Sequence, residues 1–352
     1  MVRRPDPAEP RVKRPGKQRI PGPGSARILS GTPANLRALA GVLKRGGLVG
    51  VPTETVYGLA ADALNATACA GIYRAKGRPP TDPLIVHVLS VRDAEKIAHL
   101  NPAARRLAAA FWPGPLTVVL EKRAEVPDIV TAGLGSVAIR VPAHALFRRL
   151  LRATGRPLAA PSANPFGYVS PTTAEHVRAG LGERIGHILD GGPCAVGLES
   201  TIVDVRDPAR PRLLRPGAIT REHLEKVLGR KVGSGRTAGS ARKAQLAPGM
   251  LKRHYSPRTP VELHERLTAK QVAAGGKKDA WGFAARPAGV IGENIFWLDP
   301  RGDLRGAARR LFALLRRLDS AGHTRIHLEK IPGRAGLAEA LNDRMARAAA
   351  RG

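Results

Sequence analysis

From Ser25 onward, short apolar runs alternate with amphipathic segments along the chain. Asn35 to Lys44 places its apolar residues at helical spacing and is stopped by Gly46 and Gly47, after which Leu48-Val49-Gly50-Val51 reads as a buried strand. A second helix is expected over Ala66 to Ala75, ending before Gly77, then a strand over Leu84 to Val88 and a helix over Pro102 to Phe111. Further strands are predicted at Leu116 to Leu120, Val137 to Val141, His187 to Leu189 and Thr201 to Val205. This order, with turns rich in Pro and Gly, predicts a mixed α/β domain over residues 25–229.

The pattern breaks over residues 230–258, which carry eight Lys or Arg, no acidic residue and the run GSGRTAGSARK, the composition of a flexible basic linker. Residues 259–352 resume the alternation. Strands are expected at Val261 to His264, Ala280 to Ala284 and Ile295 to Leu298. A helix over Leu304 to Asp319, a strand over Arg325 to Glu329 and a helix near Leu337 to Ala349 complete a smaller Rossmann-like α/β domain. It lacks the glycine-rich dinucleotide fingerprint, so no cofactor is expected there. Residues 1–24 are basic and rich in Pro and Gly, which predicts a disordered tail, and they lack the apolar core of a secretory signal. No apolar run is long enough to span a bilayer, so a cytoplasmic protein without membrane contact is expected.

Composition changes this picture in two ways. A formal net charge of +30 sets up a field that draws in polyanions such as nucleotides and tRNA. Most of the excess is arginine spread through every segment, and no basic motif interleaved with aromatics marks a nucleic-acid module, so charge supports an anionic ligand without naming it. The two cysteines, Cys69 and Cys194, form neither a disulfide framework nor a metal-spaced set and read as small core residues.

Four clusters set polar residues beside glycines and prolines at strand ends, where α/β folds tend to bind ligands. In Pro52-Thr53-Glu54-Thr55-Val56-Tyr57-Gly58-Leu59, two hydroxyls, a carboxylate and a phenol serve either a ligand or a turn in which Thr53 or Thr55 caps a short helix. Lys76-Gly77-Arg78-Pro79-Pro80-Thr81-Asp82-Pro83 makes a stiff cationic loop suited to phosphate, or one whose cations complement the preceding helix dipole. Nearby His87 is a ligand or a satisfied core residue. Pro161-Ser162-Ala163-Asn164-Pro165 offers short hydrogen bonds, and Ser170 or Thr172 beyond it also suits a helix cap. Upstream, Ser136 and Arg140 share one strand face, where Arg140 either clamps a carboxylate or is a surface arginine. The last cluster pairs Glu199-Ser200-Thr201 with Arg215-Pro216-Gly217. The chain has no Ser/His/Asp elbow, zinc spacing or Walker loop, so the chemistry expected is positioning and charge neutralisation at a nucleotide phosphate.

In this order the clusters resemble the YrdC family, specifically its two-domain threonylcarbamoyl-AMP synthases. PTETVYGLAADA, IYRAKGRPPTDPLIVHV, FWPGPLTVVL, AIRVPAHALFRRLL, PSANPFGYVSPT, LESTIVDV and LLRPGAIT run collinearly, and PGMLKRHYSP and the C-terminal helices resemble the long form's second domain. The resemblance implies a twisted sheet with helices around a large basic cavity. It assigns Thr55, His87, Arg140, Ala160 and Ser200 to an L-threonine pocket and Arg78, Asp82, Ser136, Ser162, Asn164, Ser170 and Arg215 to ATP. Tyr255 would fold back over the nucleotide, and Lys76 and Arg78 would carry catalysis. Asp82 stands where the family more often has Asn, and beside phosphate it would need Mg²⁺ or exposure. Ala160 could offer only its backbone.

The implied reaction joins L-threonine, bicarbonate and ATP into threonylcarbamoyl-AMP and pyrophosphate, with Mg²⁺ accompanying ATP and no metal held by protein side chains. The adenylate would pass to a partner transferase that modifies tRNA beside the anticodon, and a weak tRNA contact is also implied. Two other readings remain at this point. One is a non-catalytic RNA-binding module of the same fold. The other, hydrogenase-maturation chemistry, requires paired Cys-x-x-Cys fingers that two isolated cysteines cannot supply.

Overall fold

The structure, a computed structural model, describes residues 26–235, 245–248 and 254–350. The expected tail, and residues 236–244 and 249–253 of the expected linker, lie outside the described residues. The larger domain is built on β1 (Arg27–Leu29), β2 (Val49–Val51), β3 (Gly58–Asp62), β4 (Ile85–His87), β5 (Leu116–Glu121) and β6 (Ser136–Arg140). To these it adds β7 (Leu158–Ala159), β8 (His187–Leu189), β9 (Thr201–Asp204), β10 (Arg212–Arg215) and β11 (Gly233–Ser234). They form one mixed sheet in the order β1-β8-β2-β3-β7-β4-β6-β5-β9-β10-β11. β4 and β6 run parallel with His87 opposite Arg140, which puts two of the expected threonine-pocket residues side by side.

Helices pack on both faces. Pro33–Lys44, Ala66–Lys76 and Pro102–Phe111 start at Thr32, Asn65 and Asn101, whose side chains each accept a hydrogen bond from a first-turn backbone N–H. Gly77, at φ 62°, ends the helix that carries Lys76 and turns the chain into the cationic loop. Two of the capping alternatives are corrected. The helix Ala174–Leu181 is capped by Thr173, whose side chain accepts from His176 N, which leaves Ser170 and Thr172 free of that task. No helix lies between β2 and β3 for Thr53 or Thr55 to cap. Instead, Thr53 Oγ1 accepts from the N–H groups of Thr55 and Val56 at 3.1 and 3.2 Å, closing a tight turn.

The smaller domain holds β12 (Val261–His264), β13 (Asp279–Ala285), β14 (Ile295–Asp299) and β15 (Arg325–Glu329) in an all-parallel sheet of order β12-β15-β13-β14. Helices Leu304–Ser320 and Gly336–Ala349 bury their apolar stripes against it. The same core continues into the larger domain through Val56, Val169 and Leu198, which pack with Tyr255, Phe312 and Leu341. At Gly197, φ 79°, a Cβ would come within 2.5 Å of Arg309 Cα, so the backbones of the two domains approach where no other residue fits. The linker expectation is corrected where residues are described. β11 pairs with β10 inside the first sheet, and His254 to Ser256 are buried between the domains.

Candidate active site

The larger domain and the segment that follows it form one cavity. It is lined by Thr53 and Thr55 from the turn after β2, His87 from β4, Arg140 from the end of β6, Ala160 to Ser162 after β7, and Glu199, Ser200 and Arg215 around β9 and β10. Arg78, Pro248, His254 and Tyr255 complete the lining. The space left between these side chains is only about 40 Å³, against roughly 300–1,000 Å³ for a small-molecule site. Pro248, His254 and Tyr255 form part of the wall, and little open space remains in the basic cavity.

One half of the cavity centres on Arg140, which is buried, not a surface arginine. Its Nε donates to Gly114 O at 3.1 Å, its Nη1 to Thr55 Oγ1 at 2.9 Å, and its Nη2 lies 2.7 Å from Glu54 Oε1. The Trp-Pro-Gly-Pro turn thus braces the guanidinium from behind while Thr55 and Glu54 hold it in front. Burial pushes the Glu54 carboxyl up, but the charge and hydrogen bonding of Arg140 outweigh that and hold it below the usual range. Burial, and then the Arg140 charge, pulls His87 down to about 3, so this imidazole is neutral. Its Nδ1 has no hydrogen-bond partner among the described residues, and its ring leans on Phe147. Ala160 N donates to Ile85 O at 2.9 Å, so that backbone donor serves the sheet.

The other half is cationic. Arg78 donates from Nε to Asp82 O at 3.1 Å and from Nη2 to Pro83 O at 2.5 Å, folding the cationic loop onto itself. Arg215 donates to Ser200 O at 3.0 Å and to Ser200 Oγ at 3.1 Å, and Ser200 Oγ lies 2.7 Å from Thr117 Oγ1. Asp82 is buried rather than exposed, and its Oδ1 faces Arg78 Nη2 at 3.1 Å. Burial raises its pKa against the pull of Arg78, Lys76 and Arg215.

Lys76 does not point into the cavity. Its Nζ donates to the carbonyls of Ser162 and Asn164, both at 2.5 Å, which ties the Pro-Ser-Ala-Asn-Pro loop to the preceding helix. Burial and then repulsion from Arg78 hold its pKa well below the lysine range. Asn164 likewise donates to Pro165 O and Tyr168 O, at 2.8 Å each. Ser170 Oγ donates to Glu199 Oε1 at 2.5 Å. Lys76, Asp82, Ser136, Asn164 and Ser170 therefore stand behind the lining rather than in it. Lys76, Asn164 and Ser170 spend their donors on carbonyl and carboxylate oxygens, and Asp82 faces Arg78.

Tyr255 is fully buried with φ 62°, its ring 5.4 Å from Phe312 and its hydroxyl without a hydrogen-bond partner among the described residues. Arg344, from the last helix, sits over the ring at 5.3 Å, donates to Glu199 Oε2 at 2.8 Å and to Pro216 O at 2.9 Å, and pairs with Asp343 at 2.7 Å.

Comparison with known proteins matches this architecture domain by domain. A family model described as "Telomere recombination", for Sua5, YciO and YrdC proteins, covers residues 41–217, and one described as "Threonylcarbamoyl-AMP synthase, C-terminal domain" covers residues 219–350. A Pyrococcus abyssi threonylcarbamoyl-AMP synthase is 40% identical over 327 residues, 89% of this chain and 93% of that protein. The chain belongs to the two-domain YrdC/Sua5 family. A Bacillus subtilis member, also a threonylcarbamoyl-AMP synthase, is 37% identical across 91% of this chain and 94% of its own. The crystal structure of P. abyssi Sua5 complexed with L-threonine superposes with a TM-score of 0.83, at 38% identity, covering 92% of this chain and 98% of that one. Sequence reasoning named Glu54 and Glu199 only within their clusters, without a role for either in the pocket, and it missed His254 and Arg344. Glu54 lay inside a quoted motif, but Arg344 lies 145 residues beyond its partner Glu199, and no local pattern links them.

Proposed function

We propose that the chain is an L-threonylcarbamoyl-AMP synthase, a nucleotidyltransferase acting in the cytoplasm. The reading rests on one juxtaposition in a family member. A buried, braced arginine with a hydroxyl and a neutral imidazole beside it shares one cavity with Arg78, Arg215 and Tyr255. The first group suits a small hydroxy amino acid. A guanidinium carries five donors, so Arg140 can take a carboxylate while still held by Gly114 and Thr55. His87 can bond the substrate without adding charge. The second group suits polyphosphate.

In this reaction the threonine amine attacks bicarbonate and water leaves, giving a carbamate. A carbamate oxygen then attacks the α-phosphorus of ATP, the bond to the bridging oxygen breaks, and pyrophosphate departs. No enzyme nucleophile is needed, so the chain contributes alignment and charge stabilisation. Arg78 and Arg215 offset the phosphate charge. Lys76 acts as a positioning residue through the Ser162 and Asn164 carbonyls it holds.

Mg²⁺ enters as part of the nucleotide substrate. Glu54, behind Thr55, is opposed by Arg140, and the lining Glu199 is taken by Ser170 and Arg344, so neither carboxylate is open to a cation. The narrow space requires that His254, Tyr255 and Pro248 withdraw for ATP to enter and then close on it. Closure would shield the adenylate from water until a tRNA-modifying transferase receives it. The test is pyrophosphate release with each substrate omitted in turn. The proposal predicts release only when threonine, bicarbonate and Mg²⁺-ATP are all present. RNA binding with no release under any condition would favour the non-catalytic module instead.

A further inference from the structure

A second group of chemistry-bearing residues lies on the C-terminal sheet, away from the cavity. β12 and β15 pair with Glu262 opposite His327, and β13 places Trp281 opposite His327 on the other side. Side chains two apart on a strand share a face, so Glu262 and His264 rise together beside His327. Their face is opposite the one that Val261, Ile326 and Leu328 bury against the helices.

His264 Nε2 lies 2.9 Å from His327 Nδ1, which is 3.5 Å from Glu262 Oε2, and one ligand atom from each of the three residues falls within 4.8 Å of the other two. Ligands about 2.0–2.2 Å from a zinc ion and 90–109° apart stand roughly 2.8–3.6 Å from each other. A single shared proton between the imidazoles would account for the shortest contact but not for its surroundings. Asp279 Oδ2 stands 3.6 Å from His327 Nε2, and that carboxylate is itself fixed by Gly276 N at 2.9 Å and Thr324 Oγ1 at 2.7 Å. At 3.6 Å this is a charge contact, and His327 Nε2 has no hydrogen-bond partner among the described residues; a closer approach by Asp279 would keep the proton on Nε2 and turn the Nδ1 lone pair towards His264, the arrangement found behind metal-bound histidines. Trp281 stacks on the His327 ring at 4.0 Å and 8°, fixing its plane. Arg325 Nη1 holds the other Glu262 oxygen at 2.8 Å, leaving Oε2 to face the imidazoles.

We propose that Glu262, His264 and His327 bind one divalent transition-metal ion of the Zn²⁺ class, with Asp279 as the orienting partner. Two imidazoles and one carboxylate suit Zn²⁺ over Mg²⁺ or Ca²⁺, which prefer all-oxygen sets, so this site is separate from nucleotide-bound Mg²⁺. Three protein ligands leave a coordination position for water. The ligands come from strands far apart in sequence, which is why no short metal-spacing motif announces them.

The test uses the full chain, free of any histidine tag and stripped with chelator. Zn²⁺ uptake is counted after dialysis, and Co²⁺ is added to read its visible absorption. One equivalent of Zn²⁺, unaffected by excess Mg²⁺, is expected, with Co²⁺ bands of a low-coordinate nitrogen and oxygen site. His264→Ala and Glu262→Gln should each weaken Zn²⁺ at least as much as Asp279→Asn, for which roughly 10–100-fold is expected. His323→Ala, at a histidine of the same domain outside the cluster, should leave affinity unchanged. Circular dichroism confirms that each variant is folded, and Glu262→Gln keeps the test valid if a histidine variant is not. No uptake by the parent chain at micromolar Zn²⁺ would overturn the proposal, as would affinity unchanged by the ligand substitutions.

Discussion

Tyr255→Phe separates what the ring does from what the hydroxyl does. The ring is fully buried against Phe312 and beneath Arg344, so losing it in Tyr255→Ala should cost about 3–5 kcal/mol of stability, as for other buried aromatics. The hydroxyl has no partner among the described residues, and a buried unpaired polar group costs about 1–3 kcal/mol. Tyr255 lines a space of about 40 Å³, more than the roughly 10–15 Å³ that one water needs, so a water that reached the hydroxyl would relieve part of that cost. Removing it should leave the ligand-free protein unchanged or stabilised by up to about 1 kcal/mol. If the hydroxyl is kept for the nucleotide, the same change should weaken ATP by about 0.5–1.5 kcal/mol, or roughly 2–13-fold. Urea denaturation of the ligand-free protein and calorimetry with ATP measure the two terms. A Tyr255→Phe protein that loses more than about 1 kcal/mol of stability yet binds ATP normally would show the hydroxyl to be structural and refute the reasoning.

Arg140→Lys keeps the charge but cannot span Gly114, Thr55 and a substrate carboxylate, so calorimetry should show threonine weakened tenfold or more (about 1.4 kcal/mol) with ATP little changed. Equal losses for both ligands would move Arg140 out of the threonine pocket. His87 sits at about 3, below its ordinary 6.5. Between those values only the unfolded chain binds the proton, so stability from this group is full above 6.5 and lost as pH falls. One unit below, at pH 5.5, the loss is about 1.4 kcal/mol, and His87→Gln should lack it. Denaturation at about pH 7.5 and 5.5 checks this, and identical pH losses in parent and variant would contradict it. Arg344→Met leaves Glu199 buried without its cation, while Asp343 keeps Arg347, and should cost about 3–5 kcal/mol, part of it recovered by adding Glu199→Gln. Purely additive losses in a double-mutant cycle would argue against the pair.

Much of the fold was legible because its signals are local. Short apolar and β-branched runs matched His187–Leu189, Val261–His264 and Arg325–Glu329 at their observed bounds, and an alanine-rich amphipathic stretch did the same for Pro102–Phe111. The run Leu116-Thr117-Val118-Val119-Leu120 fell one residue short of its strand, which continues to Glu121. Gly58–Asp62 escaped notice because Gly-Leu-Ala-Ala-Asp has no β-branched residue, and it forms a strand only because β2 and β7 flank it. The linker was misjudged for a related reason. Its composition predicts flexibility, but burial of His254 and Tyr255 depends on surfaces of both domains that no local window contains. At the site, the motifs marked which residues gather, while the direction of each side chain was hidden. Lys76 and Arg78 are two residues apart, yet one braces a loop from behind and the other lines the cavity.

The central claim is tested most directly by following the carbon of bicarbonate. The protein is incubated with labelled bicarbonate, threonine and Mg²⁺-ATP, and the nucleotide products are separated at once and identified by mass. Synthase chemistry predicts label in a single product that contains both threonine and AMP, formed in step with pyrophosphate. Label that never enters a nucleotide, in a folded protein that binds ATP and threonine, would contradict it.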